Sequence, residues 1–189
     1  MLDPGVLAFA RGALPDPPAR VLEIGAGDGA LAGALRDALG AAGYEDVATL
    51  VQSGNILLSS SKKPKTLERE ISKLVLDEFG VGAATVVRTR DELEGVIERN
   101  PIPDGPSIPK LFQVTFFSDE PDAGAVAKLV EQDFGAERVE VIGREAYAWH
   151  PDGIQKSKLA RELGKRLRAD GTARNWNTVT KLLELADGS

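Results

Sequence analysis

The sequence predicts an α+β protein of two ferredoxin-like, βαββαβ-type half-domains, each an antiparallel sheet with helices on one face, followed by C-terminal helices. Three observations carry this. Apolar runs and amphipathic stretches follow the order β-α-β-β-α-β over residues 20–88. The order begins again as β-α-β-β after residue 110, and a proline-crowded segment separates the two.

Pro4, Pro15, Pro17 and Pro18 confine any helix in residues 1–19 to the stretch 6–13, so this segment reads as a lead-in. Residues 20–26 (RVLEIGA) form a short apolar strand. Residues 30–42 then carry Leu31, Ala34, Leu35, Ala38 and Leu39 at helical spacing, with Gly43 as the stop. Two β-prone runs over 47–60 flank Ser53, Gly54 and Asn55, residues that tolerate positive φ, and predict a hairpin. A helix over 66–79 places Leu67, Ile71, Leu74 and Val75 on one face and ends at Gly80; a strand at 83–88 and a helix at 91–99 complete the first half, 20–99.

Four prolines and a glycine in residues 100–109 predict an irregular linker. The second half, 110–189, reads as a strand at 110–117, a helix at 123–134 and a hairpin of 139–142 with 146–149. A basic amphipathic helix follows at 156–168, with Leu159, Leu163 and Leu167 in one row, and a last helix at 176–186.

Composition excludes several chemistries. The chain of 189 residues is 42% hydrophobic and 28% charged, ordinary for a soluble globular protein, and no apolar run approaches a membrane span. With no Cys, one His and one Met, thiolate metal sites, disulfides and Cys nucleophiles are absent, and no metal site is expected. The first residues lack the pattern of a secretory signal, so a cytoplasmic location is expected. The formal net charge of −6 argues against wholesale nucleic-acid binding, although Lys156, Lys158, Arg161, Lys165 and Arg166 begin a local positive excess over 156–181. A solvated helix face is the plainer account of that excess.

Candidate sites are few. Gln52, Ser53 and Asn55 offer donors and acceptors at a hairpin, either for a ligand or for the turn's own backbone. Arg174, Asn175 and Asn177, with Trp176 among them, gather a cation and two amides at a predicted helix start, where exposed N–H groups attract anions; the alternative is N-capping by Asn175 with Trp176 in the core. His150 precedes Pro151, Asp152 and Gly153 at a strand end and is a general-base candidate, with no Ser or Cys nucleophile motif beside it. Asp119, Glu120 and Asp152 show no sign of a shared cleft, so no catalytic residue is assigned.

The run Glu23-Ile24-Gly25-Ala26-Gly27-Asp28-Gly29 follows a strand and precedes a helix, where glycines let backbone approach a ligand closely. Together with residues 2–36 around it, this E-x-G-x-G-x-G run resembles the first motif of class I S-adenosylmethionine-dependent methyltransferases. That resemblance implies cofactor binding by Glu23, Gly25, Gly27 and Gly29, and an acidic ribose partner at the end of the next strand. Gln52 stands there, so Glu45 or Asp46 would have to serve. From about residue 36 to 185 the chain instead resembles an uncharacterised bacterial family, domain of unknown function 1697. The residues that carry this are Ala42-Gly43-Tyr44, Gln52-Ser53-Gly54-Asn55, Asn100-Pro101, His150 to Ile154, Ser157-Lys158-Leu159 and Thr172 to Val179. Its members usually open with a strand and a loop of the type L-R-G-I-N-V-G-G, from which this glycine run departs, and a chimera joined near residues 35–42 accounts for both resemblances. The reading is an anion- or nucleotide-binding module without established catalysis or cofactor, its partner a small anionic ligand or nucleotide. The alternatives are an S-adenosylmethionine-dependent methyltransferase and a structural or partner-binding domain.

Overall fold

Short apolar strands and amphipathic helices alternate along the chain as β1 (Ala19–Ile24), α1 (Gly29–Ala41), β2 (Glu45–Leu50), β3 (Asn55–Ser59), α2 (Pro64–Phe79), β4 (Thr85–Thr89) and α3 (Arg90–Glu98). They continue as β5 (Phe112–Phe117), α4 (Ala123–Val130), β6 (Arg138–Ile142), β7 (Glu145–Trp149), α5 (Lys158–Leu167), β8 (Gly171–Asn175) and α6 (Trp176–Asp187). The structure is a computed structural model that describes residues 19–24, 29–50, 55–80, 82, 85–167 and 170–188. It is an α+β protein with antiparallel sheets, and among the described residues no helix is long and apolar enough to cross a membrane. The chain divides into two units, one holding the described residues up to Gly95 and from Lys181 onward, the other Val96–Thr180.

In the first unit the four strands lie in the order β2-β3-β1-β4, every neighbouring pair antiparallel. Alternation along β3 and β4 turns Ile56, Leu58 and Val87 to one face, where they meet Leu35 and Leu39 of α1 and Leu67, Ile71 and Val75 of α2. All are essentially buried, each contributing on the order of 1.5–3 kcal/mol as an upper estimate. Helix α2 starts two residues earlier than the apolar pattern predicts because Pro64 suits the first helical position, and it ends at Gly80, whose φ of 67° closes the helix with an N–H to Leu76 O. Strand β4 is an edge, so its outward N–H groups need partners from outside the sheet. Glu68 of α2 supplies one: its buried Oε1 accepts the Val87 N–H at 3.0 Å, and Lys65 pairs with its other oxygen at 3.1 Å. Glu92 supplies the next, accepting from Thr89 N at 2.8 Å while Thr89 Oγ1 accepts from Glu92 N at 3.0 Å, a reciprocal box that starts α3. At the opposite edge β2 carries a register shift between Glu45 and Ala48, with Asp46 at a φ of 53°.

The second unit has the order β6-β7-β5-β8, again antiparallel throughout. Phe117, Val139, Ala146 and Ala148 face Leu129 of α4 and the Leu159, Leu163, Leu167 row of α5. The opposite face is covered as well, where the sequence predicts helices on one side only: the Trp176 ring lies 5.0 Å from that of Phe112, and buried Tyr147 donates its hydroxyl to Val96 O at 2.9 Å. Burial, with Glu145 adding and Arg99 opposing, pushes that phenol up to about 12, so it remains a donor.

Strand β8 has no apolar alternation and the sequence predicts no strand there. Its backbone nevertheless pairs with β5 from Gly171 opposite Phe117 to Asn175 opposite Gln113. Gly171 is required, since a Cβ would stand 2.8 Å from the Phe117 ring and 2.9 Å from Phe116 O. With β8 in place the second unit repeats the β-α-β-β-α-β order of the first. The 100–109 segment holds no α-helix or strand, yet it is ordered by local bonds. The Asn100 side chain exchanges hydrogen bonds with the backbone of Ile102, and 3-10 turns at Gly105–Ser107 and Pro109–Leu111 order the rest.

Replacing Glu68 by Ala leaves the Val87 N–H buried without a partner and is expected to lower unfolding free energy by about 1–3 kcal/mol in urea titration. Glu68→Gln, which keeps an acceptor, should recover most of the loss.

Candidate functional site at the start of the basic helix

Strand β7 runs into His150, Pro151, Asp152 and Gly153, and the turn closes through the Gly153 N–H to His150 O at 2.9 Å with Gly153 at a φ of 85°. A 3-10 turn, Ile154–Lys156, then delivers Ser157, whose Oγ accepts the Ala160 N–H at 2.7 Å and so caps α5. The connection from α4 to β6 arrives beside it. There Asp133 Oδ1 accepts from Gly135 N at 2.8 Å, and Glu137 follows. Glu137 Oε2 accepts the N–H groups of Lys158 and Leu159, both at 3.1 Å, and its Oε1 lies 3.4 Å from Nδ1 of His150, a side chain only 2% exposed.

Burial pushes the Glu137 carboxyl up, but hydrogen bonds from Ser157, the Leu159 N–H and His150 outweigh it and hold the group below its usual range. For His150 burial wins over the nearby carboxylate and moves the imidazole below its usual value, so it is neutral at pH 7. His150 and Ser157 both address Glu137 rather than each other. This geometry is a helix cap backed by a histidine, without the nucleophile-to-base contact that acyl transfer requires.

Outside the cap the two connections frame a cleft of about 430 Å³ lined by Asp133, Phe134, Asp152, Lys156, Ser157 and Lys158, among others. Phe134 packs one side on the core. Lys156 and Lys158 are exposed, and no described carboxylate lies within ion-pairing distance of either. A second cleft, about 350 Å³, lies between α4 and α5 beside Asp122, Lys128, Glu162, Lys165 and Arg166. Its carboxylates are already engaged: Arg166 Nε holds Glu162 at 2.6 Å, and Asp122 accepts from Ala125 N at 2.9 Å. Among the described residues no three His, Asp or Glu side chains gather as a metal site.

The profile of the family described as "Protein of unknown function (DUF1697)" matches residues 22–147. The chain belongs to this family. The match begins at Leu22, ahead of the glycine run, so the family covers part of the segment that resembles a methyltransferase, and it ends at Tyr147, ahead of His150. This DUF1697 protein is also similar to a solved structure titled "The structure of conserved bacterial protein SP0830 from Streptococcus pneumoniae". The TM-score is 0.71 and the identity 16%, over 89% of this chain and 98% of that one. That likeness concerns the fold alone. No curated protein matches the chain significantly.

Of the residues singled out in the sequence of this DUF1697 protein, Gln52, Ser53, Gly25 and Gly27 lie outside the described residues. Glu23 pairs in register with Asn55 on one side and Val86 on the other, and Gly29 is the first residue of α1. Strand β1 is thus antiparallel to both neighbours, unlike the mostly parallel sheet of a class I methyltransferase. Asn55 opens β3 fully buried, while Glu45 and Asp46 are exposed at the β2 irregularity. Arg174 and Asn175 close strand β8, and Asn175 stands directly before α6, the helix start expected from the sequence. Asn175 Oδ1 accepts from Thr178 N at 3.0 Å and is engaged as a cap; Arg174 Nη1 donates to Ala173 O at 2.9 Å and to Thr172 Oγ1, and Asn177 is exposed. Sequence reasoning missed Glu137 and Phe134, which reach the cleft through long-range contacts that leave no local pattern.

Acid should weaken the fold through His150. With its folded pKa below the ordinary 6.5, the unfolded chain binds the proton first, so stability is full above pH 6.5 and falls as pH drops below it. Urea midpoints measured from pH 7.5 to 5 should show this limb in the natural protein and lose it in His150→Gln; an identical slope in both would assign the limb to other groups.

Proposed function

We propose that this DUF1697 protein is an anion-binding module whose ligand is a nucleotide, held in the cleft at the start of α5. One observation carries the reading: the cleft joins the ammonium groups of Lys156 and Lys158, which pair with no carboxylate among the described residues, with the carboxylates of Asp133 and Asp152 and the ring of Phe134. Ammonium groups suit a phosphate, carboxylates suit ribose hydroxyls and an aromatic ring suits a base. The volume is in the range of small-ligand pockets. The N–H groups of Lys158 and Leu159 are already taken by Glu137, so the phosphate would be held by side chains. Such exposed contacts are individually weak, about 0.2–1 kcal/mol for ion pairs of this kind, which predicts modest affinity. We also read each unit as a ferredoxin-like half-domain, a reading that the shared β-α-β-β-α-β order and the antiparallel order β2-β3-β1-β4 support.

Calorimetric titration with adenosine monophosphate is expected to give saturable binding between about 1 μM and 1 mM, weakened roughly twofold to thirtyfold by Lys156→Ala with Lys158→Ala. Absence of binding, or equal binding by the folded double variant, would overturn the assignment.

A further inference from the structure

The outer face of α5 carries more positive charge than the cleft needs. Leu159, Leu163 and Leu167 are buried on the inner side, which leaves Lys158, Arg161 and Lys165 exposed on the other, three, four and seven residues apart. At a rise of about 1.5 Å per residue they span about 10 Å, with neighbours about 5–6 Å apart. Of the α5 cations only Arg166 pairs with a described carboxylate, Glu162. The row begins in the cleft, because Lys158 lines it. Gly164 lies on the exposed side of the same helix, and a Cβ there would meet nothing within 4 Å, so packing does not require the glycine, which disfavours the helix by about 1 kcal/mol relative to Ala. A bare backbone at that point lets a rigid ligand come close.

A protein with a formal net charge of −6 that keeps on one helix face three cations, none ion-paired with a described carboxylate although Glu162 lies near Arg161 and Lys165, is complementary to an elongated anion. A nucleoside monophosphate whose phosphate is held by Lys156 and Lys158 leaves Arg161 and Lys165, about 4.5 and 10 Å further along the helix axis, to a longer anion. We infer that the ligand is single-stranded nucleic acid, its terminal nucleotide in the cleft and its phosphodiester backbone running along Lys158, Arg161 and Lys165. This rests on the nucleotide reading of the cleft. No aromatic residue occurs in α5, so beyond the first nucleotide the contact is electrostatic and independent of base sequence.

The test compares adenosine monophosphate with octaadenylate RNA by calorimetry, on the natural protein and on a variant carrying Arg161→Glu and Lys165→Glu, whose fold is checked by circular dichroism. The octamer is expected to bind at least about tenfold more tightly than the mononucleotide, with a log–log salt slope near about −2. The variant should lose that excess and keep mononucleotide binding. Equal affinity for the two ligands, or an excess that survives in the variant, would overturn the inference while the cleft reading stands. Octamer binding without mononucleotide binding would overturn the cleft reading and the terminal placement together, and so would no binding of either. Displacement of the octamer by polyglutamate of matched charge at the same concentration as by unlabelled octamer would also overturn it, since any acidic polymer would then serve.

Discussion

A helix that starts inside a packed structure presents N–H groups that nothing within the helix can satisfy, and in α5 the Glu137 carboxylate answers two of them while Ser157 answers a third. This contact fixes where α5 begins, and the phase of the helix follows. Once Lys158 and Leu159 are placed, Leu159, Leu163 and Leu167 must face the sheet and the cations must face outward. The same carboxylate joins the α4–β6 connection to the turn after β7, so the walls of the cleft are held by one group reaching across 21 residues of sequence to the helix. His150 backs the arrangement with an uncharged ring, which leaves the carboxylate its negative charge for the helix.

The first unit shows what the scaffold does without that contact. Tyr44 enters β2 as Glu137 enters β6, and Lys62 follows β3 as His150 and its turn follow β7. There Tyr44 donates to Glu70 at 2.8 Å, and Lys62 reaches the same carboxylate at 2.6 Å from a largely exposed position. Burial and the Glu70 carboxylate raise the Tyr44 phenol, so it stays a neutral donor. Helix α2 begins without a side-chain cap, at Pro64, which has no N–H to satisfy. Two units with one strand order have thus solved the same helix start by different chemistry, and of these two starts the second carries the cleft described above.

What could be read from the sequence was local. Leu67, Ile71 and Val75 repeat at helical spacing, and α2 is present with Gly80 as its stop; Asn175 has the chemistry of an N-cap and serves as one. Strand β8 was illegible because Gly171, Thr172, Ala173, Arg174 and Asn175 carry no apolar alternation. Its place is set by hydrogen bonds to β5 and by the Phe117 ring lying over Gly171. Helix α5 was legible as a basic amphipathic segment, yet nothing near Glu137 shows that its carboxylate will meet a helix start far along the chain. The glycine run shows how little a short local pattern carries by itself. A short pattern matched a cofactor loop, while the family match extends from Leu22 through the sheet that holds β1 between antiparallel neighbours.

The glutamates along β4 bear on how the molecule behaves in a crowd. An open sheet edge is a template on which a strand from another molecule can continue the ladder, the first step towards aggregation. On β4 the Val87 and Thr89 amides are already bonded to Glu68 and Glu92, and a strand arriving there would have to displace charged groups held in place by Lys65 and by the start of α3. The carboxylates that complete the sheet therefore also raise the cost of adding a strand at this edge, and α2 guards the ladder as well as filling the core.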